Sequence, residues 1–354
     1  MAYTTINKST AHFNTKLYTG NGSTQSITGV GFQPDFTWIK QRLSAGYNHA
    51  LFDAVRGATK VLQSNANVVE RTLSDSLTAF GSDGFSLGAD ADGTYGNTVN
   101  QNTKSQVAWN WKANGQGSSN TDGSINTTYT SVNTTAGFSI SSYTGSGSSG
   151  DTIGHGLGAV PKMIIIKRLT GARDWAVYHS SLGATKYLEL NNTNAAATDT
   201  GYWNDTEPTS SLITFGNDGQ TNGGSDPLIM YAFAEKTGYS KFGSYVGNGN
   251  ADGTFVYTGF KPAFVMMKNT SNATSSDWLI LDNKRDTYNV ADSHLDANNS
   301  DAESSASWVN TDFLSNGFKL RTSDETINES TNTFIYMAFG QSIVGTNGVT
   351  AKAR

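Results

Sequence analysis

The side chains that could do acid–base or metal chemistry are few and scattered along this chain. Its five histidines are His12, His49, His155, His179 and His294. None sits in an HxH or HExxH spacing, so no zinc centre is expected. His179 follows Tyr178 where two similar stretches carry Asp53 and Asp282. A group required by every stretch would not change in this way, so His179 reads as a surface or edge histidine. A glycosidase needs two placed carboxylates, one with a raised pKa. Asp174, Glu189, Asp205 and Glu207 lie among Asn, Thr and Gly and read instead as solvated turn carboxylates. Asp90-Ala-Asp92-Gly-Thr places two carboxylates at alternate positions beside a glycine, a fragment of a Ca²⁺ loop. It lacks the later Glu and the other ligands of an EF-hand, so a metal-free turn is expected, with calcium at Asp90 and Asp92 left open. Trp109 and Trp111 alternate and share one face of a strand, either as a sugar platform or as core. Large residues at like places elsewhere (Tyr231 and Phe233, Met337 and Phe339) favour core. Neither a GxSxG elbow nor a phosphate loop is present. The expectation is therefore no catalytic residue, no cofactor and no metal ligand.

The elements that hold these residues are read from composition and repetition. The 354 residues are 36% hydrophobic, 11% aromatic and only 15% charged, with a net charge of -5. Gly, Ser, Thr and Asn fill the gap. Aromatics at this level supply cores to loop-rich β units, and the modest charge argues against disorder. No basic patch supports a nucleic-acid partner. Cys is absent, which excludes disulfides and thiolate metal sites. The opening MAYTTINKST has no apolar h-region, so no export signal is expected, and the run Met163 to Ile166 is far too short for a membrane span.

Self-comparison finds one pattern three times. YTGNGSTQSITGVGFQPDFTWIK begins at Tyr18, YTGSGSSGDTIGHGLGAVPKMIIIK at Tyr143 and YVGNGNADGTFVYTGFKPAFVMMK at Tyr245. Each opens Tyr-x-Gly-x-Gly and ends on a Lys six residues after a Pro, at Pro34, Pro161 and Pro262. GATKVL from Gly57 matches GATKYL from Gly183, Trp175 and Trp278 hold like places, and each copy closes on an aromatic strand. Short apolar runs bounded by Gly, Asn and Asp are strand signals. Pro suits a strand start, and the glycines suit tight turns. The predicted fold is all-β, with three tandem β-sandwich-like repeats of jelly-roll or lectin-like type. The predicted parts are an N-terminal segment 1–13, repeats at 14–115, 137–236 and 237–341, a linker or loosely paired strand at 116–136 and a tail at 342–354. One helical turn or two is expected within Asn67 to Leu77.

The phrases VAWNWKANG, NTDGSI, AGFSISSYTG, GHGLGAVPKMIIIKR and MAFGQSIVGTNGVTAKAR, with the triple pattern, make nearly the whole chain resemble a family of repetitive marine bacteriophage proteins, tail-fibre-like or of unknown function. The resemblance implies a structural virion protein without catalytic residues, made in a host cytoplasm and carried in the particle. The leading expectation for its place is the tail or its fibres, with host-surface recognition as a role. Implied partners are other virion proteins and a host glycan or receptor, in a homo-oligomer or in many copies, with no nucleic acid and no membrane insertion. Two other readings stay open: a capsid decoration protein, and a glycan-degrading tail enzyme. The short basic end Ala351 to Arg354 is expected to help docking.

Overall fold

A computed structural model describes residues 4–92, 98–274 and 276–342. The chain is all-β. Antiparallel strands form large and small sheets, and the only α-helices among the described residues are the four-residue turns Thr200–Trp203 and Glu325–Asn328.

The strand order recurs. In the first stretch the large sheet runs Phe13–Thr19, Ser105–Trp111, Phe36–Gln41, Ala50–Asp53, and a Leu51–Leu62 bridge extends it to the pair Lys60–Val61 and Arg71–Thr72. In the second it runs Phe138–Thr144, Pro227–Ala234, Pro161–Arg168, Ala176–His179, Lys186–Glu189, Ala197–Thr198. In the third it runs Ser240–Val246, Thr333–Gly340, Pro262–Asn269, Leu279–Asp282, Ser293–Asp296, Ser304–Ser305. Small sheets complete each stretch: Gln25–Thr28 with Gly84–Leu87 and Leu77–Gly81, then Thr152–Gly154 with Leu212–Thr214, then Phe255–Tyr257 with Gly317–Leu320 and Thr311–Leu314.

Each large sheet is buried on both faces, which is why its strands read as unbroken apolar runs. Successive side chains point to opposite sides. Ile39, Ile164 and Val265 enter three separate local cores, beneath their own small sheets. Phe36, Trp38, Met163, Ile165, Phe264 and Met266 turn the other way and meet in one shared core. The repeats are therefore not beads on a string; three sandwiches are fused through their large sheets. Trp109, Trp111, Phe233 and Phe339 lie in that shared core, none more than 2% exposed.

Pro161 and Pro262 are the first residues of their strands, each followed by a bulge. Pro34 sits two residues before its strand, where Asp35 instead takes the N–H groups of Ala113 (2.6 Å) and Gly115 (3.0 Å).

Two local expectations change. Asn67 to Leu77 is not helical; it contains the strand Arg71–Thr72, and the Glu70 N–H is spent on the Leu169 carbonyl of the second sandwich. The 116–136 stretch is not a free linker. Its strand Thr127–Asn133 adds an edge to the second large sheet, Ile125 is buried in the second local core, and Thr130 pairs with Ser118. Asn114 N–H bonds to Ser131 Oγ at 2.8 Å, tying this strand back to the first sandwich.

Candidate functional site

The Tyr-x-Gly-x-Gly motif builds a clamp in each sandwich. The Tyr hydroxyls donate to carbonyls of the opposing loop: Tyr18 to Val99 (2.7 Å), Tyr143 to Thr221 (2.6 Å) and Tyr245 to Ile327 (2.8 Å). The next residue on that loop is a fully buried asparagine, Asn100, Asn222 or Asn328. Its carboxamide oxygen accepts an N–H from the motif, and its NH₂ reaches carbonyls on both flanking loops. A Cβ on the first glycine would overlap a backbone carbonyl, and the second glycine has φ of +64°, +76° or +61°. These residues are structural.

The lysine that ends each pattern marks a seam between sandwiches. Lys40 Nζ donates to its neighbour Gln41 and to the Asp301 carbonyl of the third sandwich (2.8 Å). Lys167 reaches Asn67 of the first (3.5 Å) and Lys268 reaches Thr193 of the second (3.0 Å). Burial pushes their pKa values down to about 8, 8 and 7. An ammonium removed from water is unfavourable, and carbonyl dipoles compensate it only in part. Trp175 and Trp278 repeat the same cycle, donating to the carbonyls of Gln63 (2.9 Å) and Glu189 (2.9 Å). The first sandwich has His49 in that place. Its Nδ1 accepts from Trp38 Nε1 (2.8 Å) and its Nε2 lies 3.0 Å from the Asp296 carbonyl, so the ring is neutral, and burial holds its pKa well down. First contacts third, second contacts first, third contacts second: the seams close a ring. Ser9 Oγ donates to the Gln341 carbonyl (3.2 Å), so the two ends of the described chain meet at the first–third seam.

The residues singled out for chemistry are dispersed. His179 is not at a surface or edge: it is fully buried, Nε2 lies 3.2 Å from the Tyr336 carbonyl, and burial lowers its pKa to about 4. His155 is likewise buried against the Thr209 carbonyl, with its pKa lowered to about 4. His12 lies against Asn133 and Tyr239, and His294 packs edge-on to Trp308. Asp174 accepts from Asn191, Glu189 from Asn192 and Asn194, and Glu207 from the Tyr178 hydroxyl and Ala184 N–H, while Asp205 is exposed; no two of the four share a partner. Asp90 is buried, accepting from the Ser76 hydroxyl and from the N–H groups of Val99 (2.7 Å) and Asn100 (3.0 Å). Asp92 is exposed, and the Gly93 and Thr94 of that segment lie outside the described residues, as do Ala351 to Arg354. Among the described residues no cluster of three His, Asp or Glu could hold a metal ion, and no helix is long and apolar enough to cross a membrane.

Two departures from the repeat lie on the outside of the third sandwich. Phe255 and Tyr257 point outward from the edge strand of its small sheet, 43% and 60% exposed. Its loop after Asp282 is longer than its counterparts and carries Tyr288, 69% exposed. That loop walls two adjoining hollows, one of about 160 Å³ within the third sandwich and one of about 190 Å³ at the first–third seam, which share Asn283 and Gln341. The alignment of GATKVL with GATKYL finds no third member at this loop, and that gap is the one sequence signal for the hollows.

Three double-sheet units sharing one core, with structural residues at every repeated position, define an all-β scaffold. The chain belongs to the family described as Domain of unknown function (DUF7483), whose model matches residues 8–342. No curated protein matches it.

Proposed function

We propose that the chain is a non-enzymatic structural protein of a bacteriophage particle, a tail or tail-fibre-associated component that presents its outer loops to the host surface. The observation that carries this reading is where the repeated chemistry goes. Tyr, Gly, Asn, Lys and the seam aromatics are all consumed by clamps and seams, leaving variation to the outer loops, where binding residues sit on a rigid scaffold. The resemblance to repetitive phage proteins points the same way. Mass spectrometry of purified particles tests it: the chain is expected among the virion proteins, and its absence from particles despite abundance in infected cells would overturn the assignment.

A second reading, a capsid decoration protein, has one observation in its favour. A ring of three like units offers three like outer faces to a symmetric shell. Cryo-EM of intact particles separates the two: few copies at the tail support the first, and hundreds over the capsid support the second. The scaffold is expected to release no oligosaccharide from host envelope material.

A further inference from the structure

We propose that the adjoining hollows beside the third sandwich, one of them at its seam with the first, form a binding groove for an oligosaccharide carrying an anionic group. The proposal deepens the recognition reading and rests on it only for the biological source of the sugar.

The groove arises where the ring breaks its own symmetry. Nine positions separate Asp53 from Leu62 and His179 from Leu188, but thirteen separate Asp282 from Leu295. The extra residues carry Tyr288, whose ring is 69% exposed and lines one hollow. An aromatic face held in water beside polar groups is the surface on which a sugar ring stacks. Asn283 and Gln341 form the shared wall. Gln341 uses its NH₂ on the Pro262 carbonyl (3.0 Å), which leaves its oxygen to accept from a hydroxyl. Thr15 lines the second hollow; it is 5% exposed and its hydroxyl has no hydrogen-bond partner.

The charge selects the ligand. Lys261 lines one hollow and Lys284 the other. Lys284 is exposed and pairs with no carboxylate among the described residues. The one carboxylate of the lining, Asp286, is turned into its own loop, accepting from the N–H groups of Asp292 (3.0 Å) and Ser293 (2.8 Å) and from Ser293 Oγ (2.7 Å). The groove thus offers the Lys284 ammonium, amides, hydroxyls and one exposed tyrosine, a set that fits a uronate- or phosphate-bearing sugar better than a neutral one.

The test is binding of the purified full chain to a printed array of neutral, uronate-containing and phosphorylated oligosaccharides, with titration calorimetry on any bound member. Binding is expected on anionic members, and which of the two anionic sets responds identifies the charged group. Tyr288→Ala and Lys284→Glu are each expected to weaken it at least tenfold without moving the melting temperature, while Tyr257→Ala leaves it unchanged. The proposal is overturned if no member binds, if neutral and anionic members bind alike, or if Tyr288→Ala and Lys284→Glu both bind as the parent does. None of these results bears on whether the chain is found in particles.

Discussion

His179 occupies the place of two aspartates because its partners changed with it. Asp53 is ion-paired with Arg56 and accepts from the Tyr231 hydroxyl (2.7 Å) of the second sandwich. Asp282 is ion-paired with Arg285 and accepts from Trp109 Nε1 (3.0 Å) of the first. In the second sandwich the arginine position holds Leu182, and the incoming residue from the third is Met337, which has no proton to donate. A carboxylate there would be buried with no cation and without the side-chain donor that Tyr231 and Trp109 supply to the two aspartates, keeping at most the Ser181 N–H that now donates to His179 Nδ1 (3.2 Å). His179→Asp is therefore expected to destabilise the protein by about 3–5 kcal/mol in urea unfolding. Adding Leu182→Arg and Met337→Trp should recover most of it, and a triple variant no more stable than the single one would refute the account. The seam lysines give a pH prediction. Their pKa values, about 8, 8 and 7, lie below the 10.5 of an exposed lysine. Between these limits the unfolded chain holds more protons than the folded one, so stability rises with pH from about 8 towards 10. The slope is at most about 1.4 kcal/mol per pH unit for each lysine. Above pH 10 the buried tyrosines, whose pKa values burial raises, reverse the trend. Lys268→Met should flatten the rise, and denaturant titrations at pH 8 and 9.5 measure it.

At the scale of single elements, the close approach in the clamp predicts a large effect from a small change. A Cβ on Gly247 meets the Glu329 carbonyl, which is backbone and cannot swing aside. Gly247→Ala should cost roughly 1–3 kcal/mol, read as a lowered urea midpoint. This clamp was half visible in the sequence. Tyr and Gly recur at fixed spacing and declare themselves, but Asn100, Asn222 and Asn328 sit in segments of unlike sequence, the last in a helical turn, and carry no pattern of their own. The all-β class was legible from short aromatic and β-branched runs. The two-faced burial of the large sheets was also written there: FTWI, MIII and FVMM do not alternate with polar residues, as a sheet with one wet face would. The Asn67 to Leu77 spacing suggested a helix because Val68, Leu73 and Leu77 are apolar, but Leu73 and Leu77 are buried in the first local core and the backbone between is used across a seam. His49 could not be aligned with Trp175 and Trp278 by residue type; only its place in the seam reveals the equivalence.

For the whole molecule, the cyclic seams make each sandwich depend on both others. Cutting one away would expose the shared core along two sheets and strand a buried lysine, so isolated repeats are expected to aggregate rather than fold alone. The meeting of the two ends of the described chain has a different implication. Thr10 N–H lies 3.4 Å from Ser342 Oγ, while the covalent crossing from first to second sandwich runs through Gly115, an open turn with φ +61°. A permuted chain that joins 342 to 10 and begins after Gly115 keeps the lysine, tryptophan and His49 seam bonds and gives up only those made by residues before Thr10. Its melting temperature should stay within a few degrees of the parent, and failure to fold would mean that the path of the chain, and not the seams, holds the three sandwiches together. If it folds, the second unit can serve as the point where synthesis starts, and the first need not be made before it.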